Sequence, residues 1–311
     1  MPNAQFIAII GAVLASMLMG AVVVSTRFVV PESDPLTVTM LRYVVGLASM
    51  APCYLLLRRR RIARADLFPV LLLGAVFFGA MPYLFTISLK YTYASHGGLM
   101  IAFGPLLTLG LSSLLRIERP GLLKLGGLML AMVGAVLSLG TGTAPPDAQK
   151  LLWLGDGLML GAMAGFAVFN VFSRPYLIRY GPLLVTLYAL VPGTLCLVAA
   201  WLVSWLPAWL SGGGPMPSLD FSPAGWAAIV FIGFPGGAWG FLVFIVALRH
   251  LSPTRAAVFF NLNPLTAAVL ATLMLGEALS GRFLTGFVLV LAGIVLAQWR
   301  GGGSHKETAT G

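Results

Sequence analysis

The chain has 311 residues, of which 59% are hydrophobic and only 9% are charged, whereas water-soluble domains carry about 25% charged residues. Lys and Arg outnumber Asp and Glu by 19 to 9, which gives a formal net charge of +10. This composition excludes an ordinary water-soluble domain and is typical of a chain embedded in a lipid bilayer.

Ten apolar stretches predict ten membrane-spanning helices, because a spanning helix needs about 20 apolar residues. The fold class that follows is an all-α integral membrane protein with short loops. The first stretch is expected to stay in the mature protein, since it has no basic residue before Arg27 and no clear A-x-A cleavage site. The predicted spans are 6–30, 35–57, 67–89, 95–115, 121–140, 151–173, 182–206, 223–248, 254–275 and 281–299.

Basic residues are distributed unevenly over the predicted loops. Fourteen lie on the side of the N-terminus, three lie on the opposite side, and Arg27 and Arg42 fall within spans. Because cytoplasmic loops carry an excess of Lys and Arg, we expect both termini to be cytoplasmic and the protein to lie in the inner (plasma) membrane. The run RRRRIAR at 58–64 is interpreted as an anchor at the lipid surface, and no nucleic-acid partner is expected.

Arg42 is a charged residue inside the second span, roughly 10 Å along the helix from its start. A charge at that depth is costly unless it snorkels, pairs with another charge or faces water. Two interpretations stay open. Arg42 either snorkels toward Glu32 or Asp34, or binds a substrate carboxylate.

Two candidate substrate-binding residues, Tyr83 and His96, lie around the turn between the third and fourth spans. Both side chains are amphipathic, and nearby glycines leave room for a ligand. The alternative is that His96 is a structural group satisfied by its neighbours. In the fourth span, Pro105 follows Gly104 and predicts a helix break, because proline lacks an N–H and crowds the preceding turn.

Asn170, in the sixth span, is a further polar candidate for substrate binding, with packing as the alternative. The eighth span contains FPGGAWG at 234–240, where Pro235, Gly236 and Gly237 predict a hinge or a helix break. Close helix packing would explain the same glycines. Trp239 lies deep in this span, whereas the other tryptophans lie near span ends, so it is a candidate cavity wall; lipid contact and core packing are the alternatives.

The ninth span contains VFFNLNPL at 258–265, in which Pro264 predicts a break near the middle of the helix. Asn263 lies beside that break. Polar groups at this depth need protein partners or a water-filled cavity, so Asn263 is predicted to face the interior and contact substrate. Packing between helices is the alternative for Asn261 and Asn263.

The nine acidic residues all fall in predicted loops or at span ends, so a proton relay through a buried carboxylate is not supported, although His96 or a buried Tyr could titrate. Glu118 and Glu277 are expected to cap the starts of spans five and ten. No serine or metal motif is present. We therefore expect no catalytic residue, no metal site and no cofactor, which leaves an intramembrane enzyme as a remote alternative.

The sequence repeats itself at offsets of 147 and then 159 residues. These offsets predict a first five-helix repeat at 1–147, a second at 148–300 and a disordered cytoplasmic tail at 301–311. Because five is odd, the second repeat must cross the membrane in the opposite sense, and a site is expected in a central cavity between the repeats. The aligned pairs include Arg27 and Arg174, Pro35 and Pro182, Pro105 and Pro264, and Glu118 and Glu277.

The paired segments SHGGLMIAFGPLLTLGLSSLLRIERP and TRAAVFFNLNPLTAAVLATLMLGEALS resemble the ten-helix EamA-type branch of the drug/metabolite transporter (DMT) superfamily. The resemblance covers nearly the whole chain. It implies a helical basket around a central cavity and the export of small metabolites, often amino acids. Multidrug members of the superfamily carry a membrane-embedded Glu in their first span, and this chain has none there.

We therefore predict a transporter that exports small metabolites by alternating access or facilitated diffusion. Amino acids, including aromatic ones, are the favoured substrates, and another metabolite or a drug is the alternative. The expected partners are a small-molecule substrate and the lipid bilayer, and the oligomeric state stays open, with a monomer as one option.

Overall fold

The computed structural model describes residues 2–57, 61–117, 121–138, 146–210, 219–248 and 262–298. Within these ranges the protein is helical and contains no β-strand, which confirms the all-α prediction. The helices, with two π-helical segments named π1 and π2, are α1 (Pro2–Val29), α2 (Pro35–Leu57), α3 (Arg64–Ala75), π1 (Val76–Ala80), α4 (Met81–Tyr91), α5 (Ala94–Ile101), α6 (Gly104–Leu114), α7 (Leu122–Ser138), α8 (Pro146–Tyr180), α9 (Pro182–Leu210), α10 (Pro223–Gly233), π2 (Phe234–Trp239), α11 (Gly240–Leu248), α12 (Leu262–Leu275) and α13 (Gly281–Gln298).

Seven helical segments in the described ranges are long and apolar enough to cross a bilayer. They correspond to predicted spans one to four and six to eight. The other three predicted spans contain the shorter apolar helices Leu122–Ser138, Leu262–Leu275 and Gly281–Leu296, so ten crossings stay a prediction. Large apolar side chains face outward, as Leu122 does at 88% exposure and Leu273 at 75%. Such surface suits contact with lipid.

Glycines allow helix backbones to approach closely where spans cross. A Cβ atom on Gly74 of α3 would collide with the carbonyl oxygen of Ala189 in α9, and a Cβ atom on Gly233 of α10 would lie 2.7 Å from the carbonyl oxygen of Arg42 in α2. The sequence offsets relate these two contacts, because Gly74 aligns with Gly233 and Arg42 aligns with Ala189. Each half therefore makes the same backbone contact with the other half.

The same reciprocity holds between α7 and α13. A Cβ atom on Gly134 would lie 2.6 Å from the carbonyl oxygen of Gly286, and one on Gly293 would lie 2.6 Å from that of Gly127. Under the 159-residue offset, Gly134 aligns with Gly293 and Gly127 with Gly286. Whole helices follow the pattern as well: α1 packs on α12 as α8 packs on α5 and α6, and α3 packs on α9 as α10 packs on α2.

The two π-helical segments also occupy matching positions. Under the 159-residue offset, π1 at 76–80 aligns with 235–239, which lies within π2 at 234–239. Short π-helical turns are rare inside α-helices and are frequently found at functional sites. They interrupt the third and eighth spans at the same level of the repeat.

Two apolar clusters surround the middle of the protein. The larger one joins α1, α4–α8, α12 and α13, and contains the buried side chains of Leu89, Leu99 and Phe283. A second cluster joins α2, π1, α8 and α9, and contains Phe77 and Phe169. Side chains of both clusters reach a cavity between the helices.

Candidate functional site

A cavity of about 170 Å³ lies between the two predicted repeats, and we refer to it as the central cavity. Its wall comes from α1, α2, π1, α4 and α5 on one side and from α8–α12 and π2 on the other. The described lining residues are Met19, Val22, Val23, Arg42, Tyr43, Gly46, Met50, Phe77, Phe78, Met81, Pro82, Phe85, Ile101, Met163, Phe166, Thr186, Leu190, Ile232, Gly233, Gly236, Gly237, Ala238, Phe241 and Asn263.

The wall of the central cavity is mainly apolar and includes six aromatic rings and four methionines. The ring of Phe77 stacks on that of Phe169, which does not line the cavity, with centroids 4.0 Å apart. It also packs edge to face against Phe78, with centroids 4.7 Å apart. Methionine side chains are flexible and polarizable, so they adapt to ligands of different shape. Such a wall suits a bulky apolar group and leaves orientation to a few polar atoms.

Arg42 is the charged side chain on this wall within the described part of the chain. Its guanidinium carbon lies 5.6 Å from the ring centroid of Tyr43 and 5.6 Å from that of Phe85, which is within cation–π distance. Its Nε lies beside Gly237, where a Cβ atom would be 3.9 Å away. Among the described residues, no carboxylate forms an ion pair with Arg42.

The two carboxylates toward which Arg42 could have snorkelled bind other groups. Asp34 accepts hydrogen bonds from the backbone N–H groups of Leu36 at 2.9 Å and Thr37 at 3.0 Å, and so caps α2. Glu32 accepts from the N–H of Ser222 at 2.9 Å and from its hydroxyl at 2.8 Å. Neither carboxylate pairs with Arg42 in the described part of the chain, and Arg42 lines the central cavity; its binding of a substrate carboxylate stays a prediction.

Asn263 also lines the central cavity, at the start of α12. Its side chain is 1% exposed, and its Oδ1 atom has no hydrogen-bond partner in the described part of the protein. Buried polar atoms normally have a partner, so an exception calls for a ligand, a water or a functional explanation. Asn263 and Arg42 are thus the two predicted substrate-binding residues that the structure places on one cavity.

Tyr83 is partly buried and is not among the lining residues. Met81, Pro82 and Phe85 of the same helix do line the central cavity. An α-helix turns by about 100° per residue, so position 83 lies on the opposite side of α4 from those three residues. The helical register, which the sequence does not fix relative to the cavity, explains the difference.

Trp239 and Asn170 are also outside the set of lining residues, and both are partly buried. The Trp239 ring meets Phe234 edge to face at 6.1 Å, and Phe234 is 44% exposed on the outer surface. The indole N–H of Trp239 is buried without an acceptor among the described residues. Within the eighth span, Gly236, Gly237 and Ala238 form the cavity wall instead.

His96 is buried away from the central cavity and pairs with an acidic residue. Its Nδ1 lies 3.1 Å from Oδ2 of Asp156, and its ring stacks on Phe283 with centroids 5.0 Å apart. The hydroxyl of Thr92 donates to the other oxygen of Asp156. The sequence assigned Asp156 to a span end, but the structure buries it completely within α8. No local pattern signals this pair, because His96 and Asp156 lie 60 residues apart.

Glu277 caps a helix, but not the one that the sequence predicted. It accepts hydrogen bonds from the N–H of Ala94 at 2.7 Å, the N–H of Ser95 at 3.0 Å and the Ser95 hydroxyl at 2.7 Å. It therefore caps α5, in the fourth span, and not the start of the tenth. The first N–H groups of a helix lack partners and attract a negative charge. Glu118 lies outside the described residues.

The predicted breaks are placed as follows. The helix of the fourth span is interrupted at residues 102–103, directly before Gly104 and Pro105. Pro235, Gly236 and Gly237 lie within π2, where a Cβ atom on Gly236 would meet Val22 at 2.6 Å. Pro264 is buried in the first turn of α12; residues 249–261, including Asn261, lie outside the described ranges.

In the described ranges, no three His, Cys, Asp or Glu side chains come together in a way that could hold a metal ion. Among the described residues, the central cavity offers the Arg42 guanidinium, the Asn263 amide oxygen, Thr186 and Tyr43 in an otherwise apolar wall. This arrangement can bind and orient a small organic molecule.

Several transporter sequences resemble this chain over most of its length. An uncharacterized transporter of Bacillus subtilis, YyaM, is 24% identical over 91% of this chain and 90% of its own. A probable terminal-alkyne amino-acid exporter of Streptantibioticus cattleyicolor is 28% identical over 81% of this chain and 80% of its own. A probable amino-acid metabolite efflux pump of Salmonella typhimurium is 24% identical over 76% and 78%, respectively.

A solved crystal structure has the same fold. It is 20% identical, covers 93% of this chain and 95% of its own, and superposes with a TM-score of 0.63. Residues 6–140 and residues 153–299 each match the EamA-like transporter family, which confirms the resemblance to the DMT superfamily. The chain belongs to the EamA-like transporter family, a family of multi-pass membrane transporters.

Proposed function

We propose that this chain exports small metabolites through the central cavity, with amino acids, aromatic ones included, as the favoured substrates. The observation that carries the proposal is the cavity wall itself: both predicted repeats contribute to it, and it combines aromatic rings with Arg42 and Asn263. Apolar walls with a few convergent polar groups are typical of small-molecule sites. Another metabolite or a drug is the alternative substrate.

The proposed mechanism is alternating access by two inverted repeats, at 1–147 and 148–300. The reciprocal contacts of Gly74 with Ala189 and of Gly233 with Arg42 support it, because they relate the two halves by the same offsets as the sequence. Two copies of one unit in opposite orientations can exchange which side of the membrane the shared site faces. Both termini are proposed to be cytoplasmic and the membrane to be the inner (plasma) membrane, on the distribution of basic residues.

The names of two relatives support the amino-acid assignment. The Streptantibioticus cattleyicolor protein is named a probable terminal-alkyne amino-acid exporter, and the Salmonella typhimurium protein a probable amino-acid metabolite efflux pump. Identities of 28% and 24% leave room for different substrates. The substrate is therefore a matter for direct measurement.

The test is counterflow of labelled amino acids in proteoliposomes that contain the purified protein. We expect saturable uptake of at least one bulky or aromatic amino acid, since a carrier has a finite number of sites, whereas a passive pore gives uptake that rises linearly with concentration. Repeating the assay with an imposed proton gradient separates coupled export from facilitated diffusion. No saturable uptake of any amino acid would remove the amino-acid proposal, and a wider panel of metabolites and drugs would then test the alternative.

A matched pair of variants connects the flux to the central cavity. Ala238→Phe adds a ring at a lining position of the eighth span, whereas Val243→Phe adds the same ring at an outward position of that span, which is 41% exposed. We expect Ala238→Phe to abolish counterflow and Val243→Phe to leave it unchanged, with both proteins eluting as folded species. Equal activity of the two variants would show that the transport path does not run through the central cavity.

A further inference from the structure

We propose that Arg42 forms an anion subsite of the central cavity, and that the preferred substrates are carboxylates with a bulky apolar or aromatic body, in which an ammonium group is not required. The inference rests on the proposed function, because it assumes that the central cavity is the transport site. It selects substrates by charge and predicts that organic carboxylates without an ammonium group bind more tightly than free amino acids, which belong to the same class of carboxylates.

The first argument is that no counter-charge to Arg42 lies among the described residues. Its guanidinium lies on the cavity wall in a helical span, and within the described ranges no Asp or Glu lines the cavity or pairs with it. The neighbouring Asp34 and Glu32 bind backbone and serine groups instead. A charge removed from water is strongly unfavourable without an opposite charge nearby. A bound carboxylate would supply that charge.

The second argument is that the guanidinium is held in place for such a ligand. Its central carbon lies 5.6 Å from the centroids of both the Tyr43 and the Phe85 rings, which restrict its position through cation–π contacts. Gly237 of π2 lies beside the Arg42 Nε and has no side chain, so it does not block the guanidinium from a ligand. A planar guanidinium in a fixed position can donate two parallel hydrogen bonds to one carboxylate.

The third argument concerns the other end of the substrate. The remaining wall is mainly apolar, and its aromatic rings, methionines and aliphatic side chains accommodate an apolar body. The polar acceptors on the described wall are neutral, namely Oδ1 of Asn263 and the hydroxyls of Thr186 and Tyr43. A ligand ammonium would therefore lose its hydration without gaining a negative charge, which favours a carboxylate over a zwitterion and a zwitterion over a cation.

The fourth argument is that Arg42 is not part of the shared scaffold. Its partner under the 147-residue offset is Ala189, which is fully buried in α9 and does not line the cavity. The backbone contact that both halves make at this position does not need the charge, since Ala189 makes it with Gly74 as Arg42 makes it with Gly233. The charge belongs to one half alone, so we assign it to substrate selection.

The experiment compares three probes that share a phenyl body and differ in charge: hydrocinnamate, phenylalanine and phenethylamine. Binding to the full-length protein in detergent is measured by isothermal titration at neutral pH. We expect hydrocinnamate to bind tightest, phenylalanine more weakly, and phenethylamine at least about tenfold more weakly than hydrocinnamate, because charge-assisted hydrogen bonds are worth a factor of that size.

Variants of Arg42 test whether this side chain causes the preference for carboxylates. Arg42→Gln should lower the affinity for hydrocinnamate by at least about tenfold and leave the affinity for phenethylamine unchanged, since only the carboxylate contacts the guanidinium. Arg42→Lys keeps the charge and should retain part of the preference. Lys90→Gln is the matched control, because Lys90 is an exposed cation outside the cavity; it should leave the ranking unchanged.

Several outcomes of the probe comparison overturn the inference. Tightest binding of phenethylamine, equal binding of the three probes, or no binding of hydrocinnamate would mean that Arg42 does not select anions. Tighter binding of phenylalanine than of hydrocinnamate would also overturn it, yet would leave amino-acid export intact. Conversely, Arg42-dependent binding of hydrocinnamate without counterflow of any amino acid would retain the anion subsite and overturn the amino-acid proposal. If Arg42→Gln does not fold, the comparison of Arg42→Lys with the unaltered protein decides.

Discussion

The two π-helical segments occupy aligned positions in the two halves, but one carries large side chains where the other carries none. Phe77 and Phe78 of π1 align with Gly236 and Gly237 of π2 under the 159-residue offset, and all four line the central cavity. The phenylalanines fill their side and pack on Phe169. The glycines leave their side open. The backbone is thus common to both halves, whereas the chemistry of the cavity comes from positions at which the halves differ.

Arg42 and Asp156 extend this comparison. Arg42 in the first half aligns with Ala189, and Asp156 in the second half aligns with Ile9. Arg42 lies on the cavity and Asp156 lies in a buried cluster with His96 and away from the cavity. Departures from the repeat therefore serve two purposes, one in the cavity and one in the packing of the helices.

The largest effect is expected from breaking the buried cluster. Asp156→Ala removes the carboxylate that contacts His96 and Thr92, and should lower the free energy of unfolding by about 3 kcal/mol, because the remaining buried polar groups lose their partner. Urea unfolding in detergent micelles measures this loss. Asp220→Ala, at an exposed position before α10, is the control and should change stability by less than about 0.5 kcal/mol. Equal losses in both variants would contradict the assignment.

The next largest loss of stability is expected when a side chain is added to π2 at a position where π1 carries a phenylalanine. Gly237→Ala adds a Cβ atom that collides with the carbonyl oxygen of Ile232, and should destabilise the protein by about 2 kcal/mol through strain in π2. Gly157→Ala is the matched control, because nothing lies within 4 Å of its added Cβ atom in α8. That substitution should be neutral or stabilising by up to about 1 kcal/mol. Thermal unfolding that ranks the two variants in the opposite order would show that π2 tolerates a side chain.

The smallest effects are expected from Asn263→Ala and Trp239→Ala, which compare a residue that lines the cavity with one that lies outside it. Asn263→Ala removes an amide whose oxygen has no partner in the described structure, so stability should be retained while the half-saturating substrate concentration in counterflow rises roughly fivefold. Trp239→Ala removes a ring that packs on Phe234 outside the cavity, so it should lower the melting temperature without that shift. A shift in both variants would place Trp239 in contact with substrate.

Much of the helical framework could be predicted from the sequence, because continuous apolar runs and the two offsets are long-range signals that survive without a structure. Arg42 and Asn263 were identifiable for a similar reason, since a polar residue deep in an apolar span needs a water-filled or protein environment. Both lie on the central cavity.

The sequence does not predict which face of each helix lines the cavity. Tyr83 and Trp239 have suitable chemistry and depth, yet helix register turns Tyr83 away from the wall and Trp239 toward Phe234. Asp156 was placed at a span end because sequence spacing does not reveal that His96, from a different span, packs against it. Contacts between distant segments are fixed only by the packing of the whole bundle.

The most direct test of a water-filled cavity that both halves share is the accessibility of a single cysteine at position 186. Thr186→Cys lies on the cavity wall, and Leu195→Cys lies on the outer surface of the same helix, where Leu195 is 59% exposed; both are made in a background with Cys53 and Cys196 replaced by serine. Under our account, a membrane-impermeant methanethiosulfonate modifies position 186 from either side of the membrane, bound substrate slows that reaction, and position 195 stays unmodified. A position 186 that never reacts, or that reacts at the same rate with and without substrate, would contradict the account.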